Sequence, residues 1–151
     1  MIRDAIQSAQ VEALKAGDKP RLAAVRLMLA KLKERDIELR TKPASGDDDS
    51  VVVEVLQKMV KQRRESIALY ESGNRPEMAA AEAAEIGYIE AFLPQQLSEA
   101  ELDAAIQAIV AETGASSIKD MGRVVGQLKA RHGSVIDMGT ASARVKAALG
   151  G

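Results

Sequence analysis

Apolar side chains along this chain recur every three or four positions and almost never every two, the pattern of helices that each bury one face. Ile2, Ile6, Ala9 and Ala13 predict a short helix to about Ala16, stopped by Gly17. Asp18 caps a second helix that tolerates Pro20 in its first turn and runs to about Arg40. It carries Leu22, Val25, Met28, Leu29, Leu32 and Leu39 on one face and Lys19, Arg26, Lys31 and Arg35 on the other. Thr41 to Ser50, with Pro43, Gly46 and three consecutive aspartates, reads as a mobile loop ending in a cap at Asp48 or Asp49. A third helix, about Ser50 to Glu71, places Val53, Leu56, Met59, Val60, Ile67 and Tyr70 on one stripe. After a turn at Ser72–Pro76, a fourth, to about Phe92, has Met78, Ile89, Phe92 and Leu93.

Charges interrupt both of these last stripes. At about 100° per residue, Arg63 falls in the middle of the third, while Glu82 and Glu85 fall on the fourth. If the two helices fold back on each other about the 72–75 turn, Arg63 and Glu85 stand nearly equidistant from it. An Arg63–Glu85 ion pair is therefore expected, with Glu82 as the alternative partner, because a guanidinium inside an apolar stripe needs a counter-charge. The functional alternative is that Arg63 and Arg64 reach outward to a ligand.

The stretch Ile89–Glu101 is a joint. Pro94 lacks an amide hydrogen and biases Leu93 away from helical dihedrals, so one helix ends here. Ser98 and Glu101 form a capping box for the next. Phe92, with Leu93 and Leu97 close after it, is expected to plug the corner between two helical units. Beyond it Leu102, Ile106, Ile109 and Val110 make a helix ending before Gly114. Ser116 or Ser117 caps another with Met121, Val124, Val125 and Leu128, and Asp137 caps a last one with Met138, Ala141, Val145 and Leu149. The expectation is an all-α chain: residues 1–95 a long-helix domain containing a helical hairpin, residues 98–151 a small three-helix domain. Gly122 and Gly126, four apart beside an apolar face, each cost about 1 kcal/mol relative to alanine. Either a neighbouring helix or an RNA backbone approaching closely would offset that, and the neighbouring helix is the simpler reading.

Composition narrows the chemistry. With 46% apolar and only 2% aromatic residues, the chain builds its core from helix packed on helix. Without cysteine, disulfides, thiolate nucleophiles and cysteine metal sites are excluded, and the lone His132 forms no metal site unaided. The aspartate run lacks the calcium-loop spacing, so neither a metal nor a cofactor is expected. No apolar run approaches the roughly 18 residues that cross a bilayer and the N-terminus lacks a signal-peptide core, so a cytoplasmic location without a membrane partner is the default. Phosphate-loop, dinucleotide and His-Glu-x-x-His motifs are absent from the sequence, and the serines fall at caps and turns. No catalytic residues are assigned.

Net charge is −1, but the charges are sorted: residues 76–118 carry eight acidic side chains and no basic one, while 119–151 carry six basic and two acidic. Lys119, Arg123, Lys129, Arg131, Arg144 and Lys146 make the tail basic, opposed by Asp120 and Asp137. On the sixth helix Lys119 and Arg123 lie four apart, away from the core and near the two glycines. Such an array suits a phosphate backbone, and the scarcity of aromatics favours folded RNA over stacked single strands. The plain alternative is a solvated basic surface.

Three phrases resemble one family: Lys61-Gln62-Arg63-Arg64-Glu65-Ser66, Phe92-Leu93-Pro94-Gln95-Gln96-Leu97-Ser98, and Asp120-Met121-Gly122-Arg123-Val124-Val125-Gly126-Gln127-Leu128-Lys129 followed by Asp137. Their order and spacing are similar to those of the GatB/YqeY family in its stand-alone form, over almost the whole chain. The resemblance implies a small C-terminal domain related to the tail of the B subunit of the glutamine-dependent aminoacyl-tRNA amidotransferase, a tail that holds tRNA. It places Gly122, Arg123, Gly126 and Lys129 in the matching motif. It also attaches a carbon–nitrogen ligase label with glutamine as amide donor, which on this reading belongs to the larger enzyme, because 151 residues hold neither its cradle domain nor its amidase. The expected function is tRNA binding as an accessory protein through Lys119, Gly122, Arg123, Gly126, Lys129 and Arg131. An aminoacyl-tRNA amidotransferase or synthetase is the candidate protein partner. The alternative is a protein–protein adaptor docking through the acidic waist and the Pro94 hinge.

Overall fold

A computed structural model describes residues 1–43 and 46–150, and among them every regular element is helical. Ala44 and Ser45, in the stretch read as a loop, and Gly151 lie outside the described residues. The chain divides into two compact units, Met1–Leu93 and Pro94–Gly151, each with its own core.

The N-terminal unit contains α1 (Ile2–Ala16), α2 (Lys19–Leu39), α3 (Asp48–Ser72) and α4 (Pro76–Glu90). Gly17 ends α1 in the left-handed region, φ 69°, and Asp18 caps α2 by accepting from the Arg21 amide at 3.3 Å. Ile6, Val25, Met28, Leu32, Val52, Leu56 and Ile89 form the buried centre, so all four helices contribute. Asn74 occupies the left-handed region, φ 56°, in the turn between α3 and α4, a conformation asparagine tolerates better than most residues. Met78, expected on the buried stripe of α4, is instead 38% exposed near that turn, while Ala79 beside it takes the buried position.

The aspartate run works differently from the expectation. Asp47, not Asp48 or Asp49, caps α3, accepting from the Ser50 amide at 2.9 Å, so the helix begins two residues early. Asp48 and Asp49 then point from its first turn to the start of α1. Arg3 holds Asp48 through Nε (3.1 Å) and Nη2 (2.9 Å), and Asp36 of α2 through Nη1 (2.9 Å) and Nη2 (3.0 Å). Asp49 accepts from the Ile2 amide at 3.0 Å and the Met1 ammonium at 3.1 Å. These contacts clasp α1 to α2 and α3. Arg3 holds the Asp48 carboxyl below its ordinary value of 3.8, and the Ile2 amide, followed by the Met1 ammonium, does the same for Asp49. A depressed carboxylate pKa gives stability that is present above the ordinary value and is lost as pH falls through the lower folded one. Thermal midpoints measured from pH 6 down to 2 are therefore expected to separate wild type from Arg3→Ala above about pH 4 and to converge below it. Parallel curves throughout would show that the clasp contributes nothing.

The C-terminal unit contains α5 (Glu99–Thr113), a 3-10 turn at Ile118–Asp120, α6 (Met121–His132) and α7 (Met138–Ala148). The capping box closes α5: the Glu101 amide donates to Ser98 Oγ and the Ser98 amide to Glu101 Oε1, both at 3.1 Å. Gly114 follows in the left-handed region, and Asp137 caps α7 by accepting from the Thr140 amide at 3.1 Å. Ile106, Ile109, Val124, Leu128, Ala141 and Val145 are the buried centre. The joint residues divide between the units: Phe92 and Leu93 pack on the N-terminal core, Leu97 on the C-terminal one. The Leu97 amide donates to Val135 O at 2.8 Å, and the Gln96 side chain donates to Pro94 O at 2.8 Å and Ser134 O at 3.1 Å. Pro94–Leu97 thus belongs with the C-terminal helices.

Candidate nucleic-acid interface

Helix α6 buries Val124 and Leu128 completely, and the same period turns Gly122, Arg123, Gly126, Lys129 and Ala130 outward, where all are exposed. A Cβ built on Gly122 or Gly126 would meet nothing within 4 Å. Among the described residues the expected neighbouring helix therefore does not pack there, and close packing among them does not offset the glycines. They form a bare strip of helix backbone open to the outside.

The cations around this strip fall into two groups. Arg131 meets Glu112 of α5 at 2.6 Å, and Glu112 holds the Arg131 pKa above its ordinary value. Arg144 donates to both oxygens of Asp103, at 2.7 and 2.8 Å, and meets Glu99 at 3.1 Å. These two arginines fasten α6 and α7 to α5, so Arg131, expected on the RNA surface, is engaged internally. Lys119 and Lys129, by contrast, have no ion-pair partner among the described residues. Arg123 stands between the groups, donating to Asp120 Oδ1 at 3.0 Å from a side chain that is 54% exposed. The same Asp120 carboxylate accepts from the amides of Ser116 and Ser117, at 3.0 and 3.3 Å, which with Arg123 hold its pKa down. Lys119 lies in the 3-10 turn rather than in α6, so its spacing from Arg123 is not one α-helical turn. Ile118, 43% exposed beside it, escaped the sequence reading because a single apolar residue after two serines carries no period.

The acidic stretch 76–118 serves mainly as counter-charge within each unit. Arg63 Nε donates to Glu85 Oε2 at 2.8 Å, with Glu82 at 4.0 Å and a further bond from Nη1 to Met59 O at 3.2 Å. Only 12% of the Arg63 side chain is exposed. Arg64 meets Glu90 at 3.2 Å. With Glu99, Asp103 and Glu112 on arginines and Glu101 in a cap, the acidic waist is not a uniformly free docking surface.

Among the described residues no buried side chain is charged or polar, and no cluster of carboxylates and His132 has metal-site geometry. No helix among them is long and apolar enough to cross a membrane.

Comparison with known proteins gives this arrangement its relatives. The family model described as Yqey-like protein matches residues 3–149. The chain belongs to the YqeY-like family. Relatives include the protein named Altered inheritance of mitochondria protein 41, mitochondrial, of Saccharomyces cerevisiae. In both strain YJM789 and strain S288c it is 29% identical over 92 residues, which is 61% of this chain and 48% of the yeast protein. The match thus spans about half the length of the curated relatives. In this YqeY-like chain the three phrases noted in the sequence fall on α3, on the boundary at Leu93 and Pro94, and on α6 with the turn before it.

Proposed function

We propose that the C-terminal unit holds the sugar–phosphate backbone of a folded RNA, tRNA being the substrate class, and that the protein is an accessory to tRNA metabolism in the cytosol. The observation that carries this reading is the outward face of α6. It combines two glycines with open space before them and two lysines, Lys119 and Lys129, that have no counter-charge among the described residues. Helix-interior glycine is unfavourable unless something must come close, and lysines that give up only counterions are suited to phosphate. Arg123, exposed and bound only within its own turn, can exchange Asp120 for phosphate, whereas Arg131 is left to Glu112. Unit Pro94–Gly151 contains no Phe, Tyr or Trp, so a platform for stacking splayed bases is not its mode, and backbone shape is. Any carbon–nitrogen ligase chemistry, with glutamine as amide donor, is assigned in this reading to a partner such as an aminoacyl-tRNA amidotransferase.

The glycines supply a test in which stability and function move in opposite directions. Gly126→Ala should stabilise the unit by about 0.5–1 kcal/mol, and Gly122→Ala by less because it lies in the first turn. The double variant should bind tRNA several-fold more weakly, since two methyl groups hold the backbone off the helix. Urea unfolding and filter binding on the same preparations read both quantities. A variant that is more stable and binds tRNA as wild type does would remove α6 from the interface.

A further inference from the structure

On the N-terminal unit, α2 and α3 enclose a groove of about 110 Å³, floored by Val55 and Met59. One water needs only about 10–15 Å³ of such space, so a polyatomic group with its hydration fits. Lys31 and Arg35 enter from the α2 wall and Lys58 and Gln62 from the α3 wall. The carboxylates present, Glu34 and Glu38, both lie on α2. They pair one turn along their own helix, Lys31 with Glu34 at 3.4 Å and Arg35 with Glu38 at 2.9 Å, and are 65% and 63% exposed. Such exposed pairs within one helix contribute little and exchange readily for a better acceptor. The α3 wall has no carboxylate of its own. Lys58 has no ion-pair partner, and the Gln62 side chain no hydrogen-bond partner, among the described residues.

We propose that this groove is a binding site for a phosphate group, held between Lys31 and Arg35 on one wall and Lys58 and Gln62 on the other. Three cations and an amide exceed what a single carboxylate engages, and they suit a free phosphate or a phosphomonoester, with three or four acceptor oxygens, or two neighbouring phosphodiesters of a strand, each with two. The apolar floor of Val55 and Met59 strengthens each contact by keeping water from one side of the anion. A divalent cation is the wrong occupant, because three cationic side chains face the groove and both glutamates already accept from them. The phosphate belongs either to an RNA strand or to a small phosphorylated solute. The site stands apart from the α6 reading, since none of its residues lies in the C-terminal unit.

The test is amide NMR on the intact chain, with sodium phosphate titrated against sodium chloride at matched ionic strength and, separately, a short RNA duplex. Amides of residues 55–62 and 31–38 are expected to shift saturably with at least one of the two. Lys58→Ala, an exposed position whose change leaves the fold intact, should weaken that response at least about fivefold, and Lys58→Arg should restore most of it. Shifts with the duplex alone assign the phosphate to a nucleic-acid backbone, and shifts with free phosphate assign it to a small solute. No groove shift beyond the chloride control with either probe, or a response that Lys58→Ala leaves unchanged, overturns the proposal. Amides of α6 in the same spectra report the tRNA reading independently, so either can fail while the other stands.

Discussion

Replacing Leu128 with alanine is expected to unfold the C-terminal unit under conditions in which the N-terminal unit keeps its helices. Leu128 is fully buried in a core with Ile106, Ile109, Val124 and Val145. Truncating such a leucine costs about 3 kcal/mol, from lost burial and from the cavity left behind. A unit of about 60 residues is near the lower size limit for independent folding and has only a few kcal/mol to lose. The two signals needed to see this are separable. Tyr70 and Tyr88 both lie in Met1–Leu93, so tyrosine fluorescence follows that unit alone, while far-ultraviolet circular dichroism follows all the helices. In urea, the variant should lose part of its dichroism in an early step that the tyrosine signal does not share. Leu128→Met, which conserves volume, should cost less than about 1.5 kcal/mol and keep wild-type behaviour. If dichroism and fluorescence moved together in Leu128→Ala, the two cores would not be separate cooperative units.

The second large effect is on binding. Lys119→Ala combined with Lys129→Ala should weaken tRNA binding at low salt by about 10- to 100-fold, since each lysine removed is one phosphate contact and its released counterion. Arg131→Ala, which removes one charge as either lysine substitution does by itself, is the control at a neighbouring position. Because Glu112 already engages Arg131 at 2.6 Å, its removal should change affinity far less than loss of either lysine. An equal effect of all three would mean that the tail attracts RNA through its summed charge and that α6 presents no particular face.

The helices were legible because their signals are local. Apolar period, Gly17 and Gly114 in left-handed stops, and caps at Asp18, Ser98 and Asp137 each depend on residues within one or two turns. A short turn also fixes register, and the structure places Arg63 2.8 Å from Glu85 across the one at 72–75. What stayed hidden depends on how distant segments meet. Asp48 reaches Arg3 across 45 residues, so a run that reads locally as loop and cap is in fact a clasp. Likewise the Glu112–Arg131 and Asp103–Arg144 pairs depend on how α6 and α7 lie against α5, which no periodicity encodes. Charge sorting along the chain therefore suggested an acidic waist and a free basic tail, while in space much of one neutralises part of the other. The glycines show the same limit in the opposite sense. Spacing marked Gly122 and Gly126 as needing a neighbour, whereas in the fold no atom of the described residues packs against either.

The claim that the outward face of α6 grips an RNA backbone is tested most directly by the affinity of the intact chain for tRNA across a salt series from about 50 to 200 mM. With Lys119, Arg123 and Lys129 as the contacting cations, the logarithm of the association constant should fall linearly with the logarithm of salt concentration, with a slope of about −2 to −3. No binding at the low-salt end, or binding whose strength does not change with salt, would contradict it.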